Sequence, residues 1–153
     1  MLLTPQDAEL FFKLHWALMF FVNQRLKAIP DDVVSPDAFA ALSPEVRLKV
    51  RDAFLDHTDL IQAFVEENPL NLTSDALDIV RSWQQFVHGS FYIFRQLKKY
   101  MVFLSTDKQP LAYGVLALTQ PFDELIGPYL PVLTQTVLLP FNGMIVYDGL
   151  ARS

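Results

Sequence analysis

Along the first two thirds of the chain the apolar positions recur at helical spacing, and along the last third they fall into short runs separated by turn residues. Thr4 and Pro5 open the first predicted helix, with threonine as N-cap, proline at the first helical position and Asp7 in the first turn. The pattern carries it to about Lys27. Phe11, Leu14, Leu18, Phe21 and Val22 keep the helical period, while Phe12, Trp16, Met19 and Phe20 widen the apolar stripe over most of the surface. A helix apolar nearly all round is buried or bound to a partner. Ile29-Pro30-Asp31-Asp32 then breaks it.

Ser35-Pro36 and Ser43-Pro44 repeat the cap-plus-proline signature, which predicts a short helical turn followed by a long helix. Val46, Val50, Phe54, Ile61 and Phe64 share one face of that long helix, which runs to Glu67 before Asn68-Pro69 ends it. Thr73-Ser74-Asp75 caps a third long helix, extended here to Leu97 or Lys98, with Leu77, Val80, Val87, Phe91 and Phe94 on its inner face. Gly89 falls in its middle. Glycine lowers helix stability by about 0.5–1 kcal/mol relative to alanine, so close approach of another backbone is the expected reason for it.

From Tyr100 onward the pattern changes to two β-hairpins. The first pairs Tyr100 to Thr106 with Ala112 to Thr119 around Asp107-Lys108-Gln109-Pro110, and neither face of its first strand is polar. Pro121 to Ile126 has the period of a short helix, stopped by Gly127-Pro128. The second hairpin runs from Thr134 to Leu139, turns at Pro140-Phe141-Asn142-Gly143 and returns through Met144 to Tyr147; Asn-Gly supplies the positive φ angles of a tight turn. The expected fold is therefore a single α+β domain over 1–153. Three long and one or two short helices fill 1–99 and pack on a four-stranded antiparallel unit of two hairpins in 100–153. The strands form either a sheet between helical layers or a small curled barrel capped by helices.

Composition adds an apolar surplus to this picture. Hydrophobic residues make up 52% of the 153 residues and charged ones 19%, against roughly 45–50% and about 25% in an average globular protein. Phenylalanine alone accounts for 13 positions. Such a surplus is hidden in a large core or at an interface. A homodimer, or a complex with another protein, is accordingly the expected state, with Phe12, Trp16, Met19 and Phe20 of the first helix as contributors. The net charge of −5 argues against a nucleic-acid partner. Arg95, Lys98 and Lys99 are the one basic cluster, and at the end of the third helix they would complement its dipole.

The absence of cysteine rules out disulfides and thiolate metal sites, and it suits a reducing cytoplasm. The N-terminus shows no secretory pattern, and Leu10 to Val22 is too short and too interrupted by Lys13 and His15 to span a bilayer. Asn71-Leu72-Thr73 is read as a loop and helix cap rather than a glycosylation site.

Chemistry is thinly marked. His15, His57 and His88 fall on three predicted helices with no second ligand one turn away, and the clustered Asp52, Asp56 and Asp59 read as a solvated face, so no metal or other cofactor is expected. There is no Gly-x-Ser-x-Gly elbow and no phosphate-binding glycine pattern. The best polar constellation places His88 and Tyr92 of the third helix near Tyr113, Tyr147 and Asp148 of the hairpins.

Leu138-Leu139-Pro140-Phe141-Asn142-Gly143, leading to Ile145-Val146-Tyr147-Asp148-Gly149, resembles uncharacterised bacterial proteins that end in a similar Leu-Pro-Phe-x-Gly hairpin. The resemblance covers the C-terminal third and implies a bacterial cytoplasmic protein but no activity. The functional expectation is an intracellular interaction or regulatory module without catalysis. The alternative is a small-molecule binder or enzyme whose pocket lies between the third long helix and the sheet, lined by His88, Tyr92, Tyr113, Tyr147 and Asp148.

Overall fold

A computed structural model describes residues 2–30, 32–127 and 129–152. Asp31 and Pro128, named above among the breaks, lie outside the described residues. The chain divides into two compact units, one of residues 10–84 and one of residues 1–9 with 85–153. The class is α+β.

The helical unit follows its caps. Helix α1 (Pro5–Leu26) begins where the Asp7 N–H donates to Thr4 Oγ1 at 3.2 Å. It ends with Lys27 at φ 55° and the Ile29 N–H donating to buried Asn23 Oδ1. Helices α2 (Pro36–Ala40), α3 (Pro44–Phe54) and α5 (Ser74–Ser82) start at Ser35, Ser43 and Thr73, each accepting a hydrogen bond from a backbone N–H three residues on. These caps are local interactions, which is why the residues announce them.

The second predicted long helix is two. After α3 the bonding tightens to three-residue spacing through Asp56, His57 and Leu60, and α4 (Leu60–Glu67) starts afresh. His57 thus sits in a turn. Asn68, at φ 42°, closes α4 and clasps Leu72 with both side-chain atoms, so the connection to α5 is fixed. The core of this unit includes Phe11, Leu14, Phe64 and Trp83, with Phe21 edge-on to Phe64 at 5.4 Å.

The third long helix is the main correction. Helix α5 stops at Ser82, a 3-10 turn covers Trp83–Gln85, and Val87–Gln96 is strand β1. Helical spacing of Val87, Phe91 and Phe94 overlaps the unbroken apolar run Phe91-Tyr92-Ile93-Phe94, so periodicity could not choose. Burial decides it: Phe91 and Ile93 are buried while Tyr92 and Phe94 are exposed, the two-residue alternation of a strand. Gly89 therefore lies in a strand. Arg95 is on β1 and Lys98-Lys99 in the turn after it, so the basic cluster marks a hairpin and not a helix end.

The four-stranded unit thereby becomes five-stranded, with β2 (Met101–Ser105), β3 (Ala112–Val115), β4 (Val132–Phe141) and β5 (Met144–Arg152). The order is β3-β2-β1-β4-β5, and every neighbouring pair is antiparallel. Beyond β3, a parallel bridge joins Leu116 to Val146 of β5, with the Leu116 N–H donating to the Ile145 carbonyl at 2.9 Å. The sheet thus curls until its two edges meet. Helix α6 (Phe122–Ile126) lies in the connection between β3 and β4. A meander of three strands, a helix, then a hairpin whose last strand returns to β3 is the topology of an OB-type barrel. Phe91, Ile93, Met101, Phe103, Val115, Phe122 and Leu138 form its interior cluster.

Two irregularities shape the barrel. Phe94 is an extra residue in β1 between the pairs Ile93–Phe103 and Arg95–Val102. In β5, Asp148, Gly149 and Leu150 stand opposite a single residue of β4, with Gly149 at φ 85°. Side chains hold that bulge: the Leu150 N–H donates to Asp148 Oδ1, and Thr136 Oγ1 donates to the Leu150 carbonyl at 2.7 Å.

The β4–β5 turn is as expected from Asn-Gly, with Asn142 at φ 49° and Gly143 at φ 78°. A Cβ at Gly143 would meet nothing within 4 Å, so any cost of substitution is conformational. Gly143→Val is expected to destabilise the protein by about 1–3 kcal/mol. Equilibrium urea unfolding checks this, and an unchanged midpoint removes the claim.

Candidate functional site

A concavity of the barrel is built where α6 meets the strands. Helix α6 brings Phe122, Leu125 and Ile126 to the interior side of β4 and β5. Phe122 is in contact with both Phe103, at 5.5 Å, and Tyr147, at 5.6 Å. Between α6 and the strands lies a cleft of about 340 Å³. Its floor carries Thr134, Thr136 and Tyr147, and Arg152 lies at its rim on the exposed end of β5.

The polar floor is specific. Thr134 Oγ1 donates to the Arg152 carbonyl and Thr136 Oγ1 to the Leu150 carbonyl, so both hydroxyl hydrogens are committed to β5. The Tyr147 hydroxyl takes part in no hydrogen bond among the described residues. Burial, and then the nearby Asp148 carboxylate, push its pKa up to about 12. It is therefore a neutral phenol that donates.

Outside the cleft the same elements expose large apolar side chains. Tyr92 of β1 and Leu133 of β4 are register partners and share the outer face; Phe94 follows Tyr92 along its strand. Leu133 and Leu125 form the lip of the cleft, and Tyr129 and Leu130 lie in the segment leading into β4. Relative exposure is 44% for Tyr92, Phe94 and Leu125, 47% for Leu133 and 83% for Tyr129, well past what a core position shows.

The pocket expected between a third helix and the sheet does not exist in that form, because that helix is β1 beyond Val87. Of its five candidate residues only Tyr147 lines the cleft. Asp148 is buried and holds the bulge. Tyr113 packs edge-on against Phe91 at 5.9 Å, on the interior cluster. His88 and Tyr92 face solvent on β1. The four interface candidates on α1 also separate: Met19 and Phe20 are buried, and Phe12 and Trp16 are half-buried and stacked on each other at 4.9 Å.

A second, more open groove runs past Lys99, Tyr100, Leu116 and Met144. The Tyr100 ring lies flat on β3 because residue 114 is glycine; a Cβ there would stand 2.7 Å from the ring. Val102 and Leu104, the outward positions of β2, are aliphatic and half-buried. Among the described residues no group of three His, Asp or Glu side chains is placed to hold a metal ion, and no helix is long and apolar enough to cross a membrane.

Sequence reasoning missed Phe122, Leu125, Thr134, Thr136 and Leu133 as residues that line the cleft. Short apolar segments around a Pro-rich connection carry no periodic signal that separates lip from core. The outward aromatics of β1 had one: the run Phe91-Tyr92-Ile93-Phe94 is rich in strand-preferring residues.

No family model, no curated protein and no solved structure matches the chain.

Proposed function

We propose that the protein is an interaction module without catalytic activity, and that it docks a partner protein through the outer apolar strip of its barrel. One observation carries the reading. Tyr92 and Leu133 are register partners on neighbouring strands, Phe94 follows Tyr92 on β1 and Leu125 shares the lip of the cleft with Leu133; all four are large, apolar and exposed, as is Tyr129 in the segment before β4. Contiguous patches of this kind are uncommon on monomers and mark association surfaces, and aromatic side chains supply most of the binding energy at such places. Isolated exposed leucines would need no explanation; a grouped set with aromatic rings does.

A second copy of the chain is the partner that the composition points to first. Burial of Met19 and Phe20 takes half of the apolar set on α1 out of contention. The barrel strip supplies the replacement. Pairing Phe94→Asp with Tyr92→Ser is expected to weaken self-association at least about 100-fold, since two aromatic anchors of this type are each worth about 2 kcal/mol or more. Light scattering across a concentration series measures it. A wild-type chain that stays monomeric at high micromolar concentration sinks the two-fold form of the proposal.

A further inference from the structure

The cleft beneath α6 shares Leu125 and Leu133 with the outer strip at its lip, but its floor of Thr134, Thr136 and Tyr147 lies on the other side of the strands. Its volume of about 340 Å³ falls within the range of small-molecule sites, about 300–1,000 Å³. Ile93, Phe103, Phe122, Ile126 and Val132 make its walls apolar. Against them stands the Tyr147 hydroxyl, with no acceptor among the described residues, while both threonine hydrogens are used by β5. A phenol that is open to the cleft and has no protein acceptor can donate to an incoming oxygen in place of water. Among the described lining residues the only charged one is Arg152, at the rim. An anion placed on the floor would be desolvated and would lie near the Asp148 carboxylate that already raises the Tyr147 pKa, which is strongly unfavourable.

We propose that this cleft binds a small uncharged molecule with an apolar body and one carbonyl-type oxygen, the oxygen accepting a hydrogen bond from Tyr147. Aromatic and aliphatic ketones, esters and amides of modest size have this chemistry. Carboxylates do not, unless their charge stays outside at the rim.

The test uses the full chain and the neutral ketone fluorophore 6-propionyl-2-(dimethylamino)naphthalene, whose emission moves to the blue in an apolar site. The wild type is expected to bind it saturably, one molecule per chain. Tyr147→Phe, which keeps the ring and deletes the donor, is expected to weaken binding about fivefold to tenfold. Ala151→Trp, at an exposed position on the cleft wall, is expected to abolish binding by filling the space; if that chain does not fold, Leu125→Trp on the opposite wall replaces it. Phe94→Asp is expected to leave binding unchanged, which separates this site from the outer strip. Absence of saturable binding overturns the proposal. So does binding that survives both the Tyr147 and the wall substitutions, or binding lost with Phe94→Asp alone.

Discussion

Replacing Trp83 by alanine is expected to destabilise the protein by about 3–5 kcal/mol, the range for emptying a fully buried aromatic site. Trp83 is 1% exposed. Its ring stands edge-on to Phe11 at 5.6 Å and to His15 at 5.8 Å, so one substitution removes two aromatic contacts as well as the buried area. The 3-10 turn that carries it follows α5 directly, which leaves little slack for the neighbours to close the cavity. Urea unfolding followed by far-ultraviolet circular dichroism gives the number. A loss below about 1 kcal/mol would mean that the site collapses, and the assignment of Trp83 as an anchor would be wrong.

The second large effect is a loss of stability on acidification, and His15 is its source. The imidazole is stacked on Phe11 at 5.5 Å and enclosed. Burial first, and then the positive charges of Arg51 and Arg47 on α3, lower its pKa from 6.5 to about 3. An unfolded chain takes up this proton as the pH falls through about 6.5, whereas the folded chain resists until about 3. Between those values the unfolded state holds more protons, so stability falls as pH falls and is flat above the window. Each step of one pH inside the window costs about 1.4 kcal/mol, so acidification to about pH 4.5 should cost roughly 2–3 kcal/mol from this group alone. His15→Leu removes the titrating group. The difference in unfolding free energy between wild type and this variant should therefore change by that amount between about pH 7 and 4.5. A difference independent of pH would show that His15 does not titrate in this way.

What could be read from the residues was what short-range chemistry determines. Ser35, Ser43 and Thr73 cap helices because each side chain bonds a backbone N–H three residues away, and Asn142-Gly143 turns because only such residues accept positive φ cheaply. Strand β1 was illegible for a different reason. The second half of its outward face carries Tyr92 and Phe94 instead of polar residues, so the alternation begun at His88 is masked there by apolar surface. The same masking hid the strip that supports the functional reading. Tyr147 was legible as a candidate from its place on the last strand. The floor it shares with Thr134 and Thr136 was not, because the bulge at Asp148 to Leu150 shifts the register by an amount that no local pattern encodes.

Barrel closure has a consequence for how this protein can display so much apolar surface. In an open sheet, β3 and β5 would each present a row of unpaired backbone groups beside exposed aromatic side chains, a combination that templates fibrils. Here the two meet at Leu116 and Val146, and past that point the Leu3 N–H donates to the Ala117 carbonyl. Backbone-led recruitment of foreign strands is thereby largely denied. Contact with other molecules is left more to side-chain shape, which discriminates between partners.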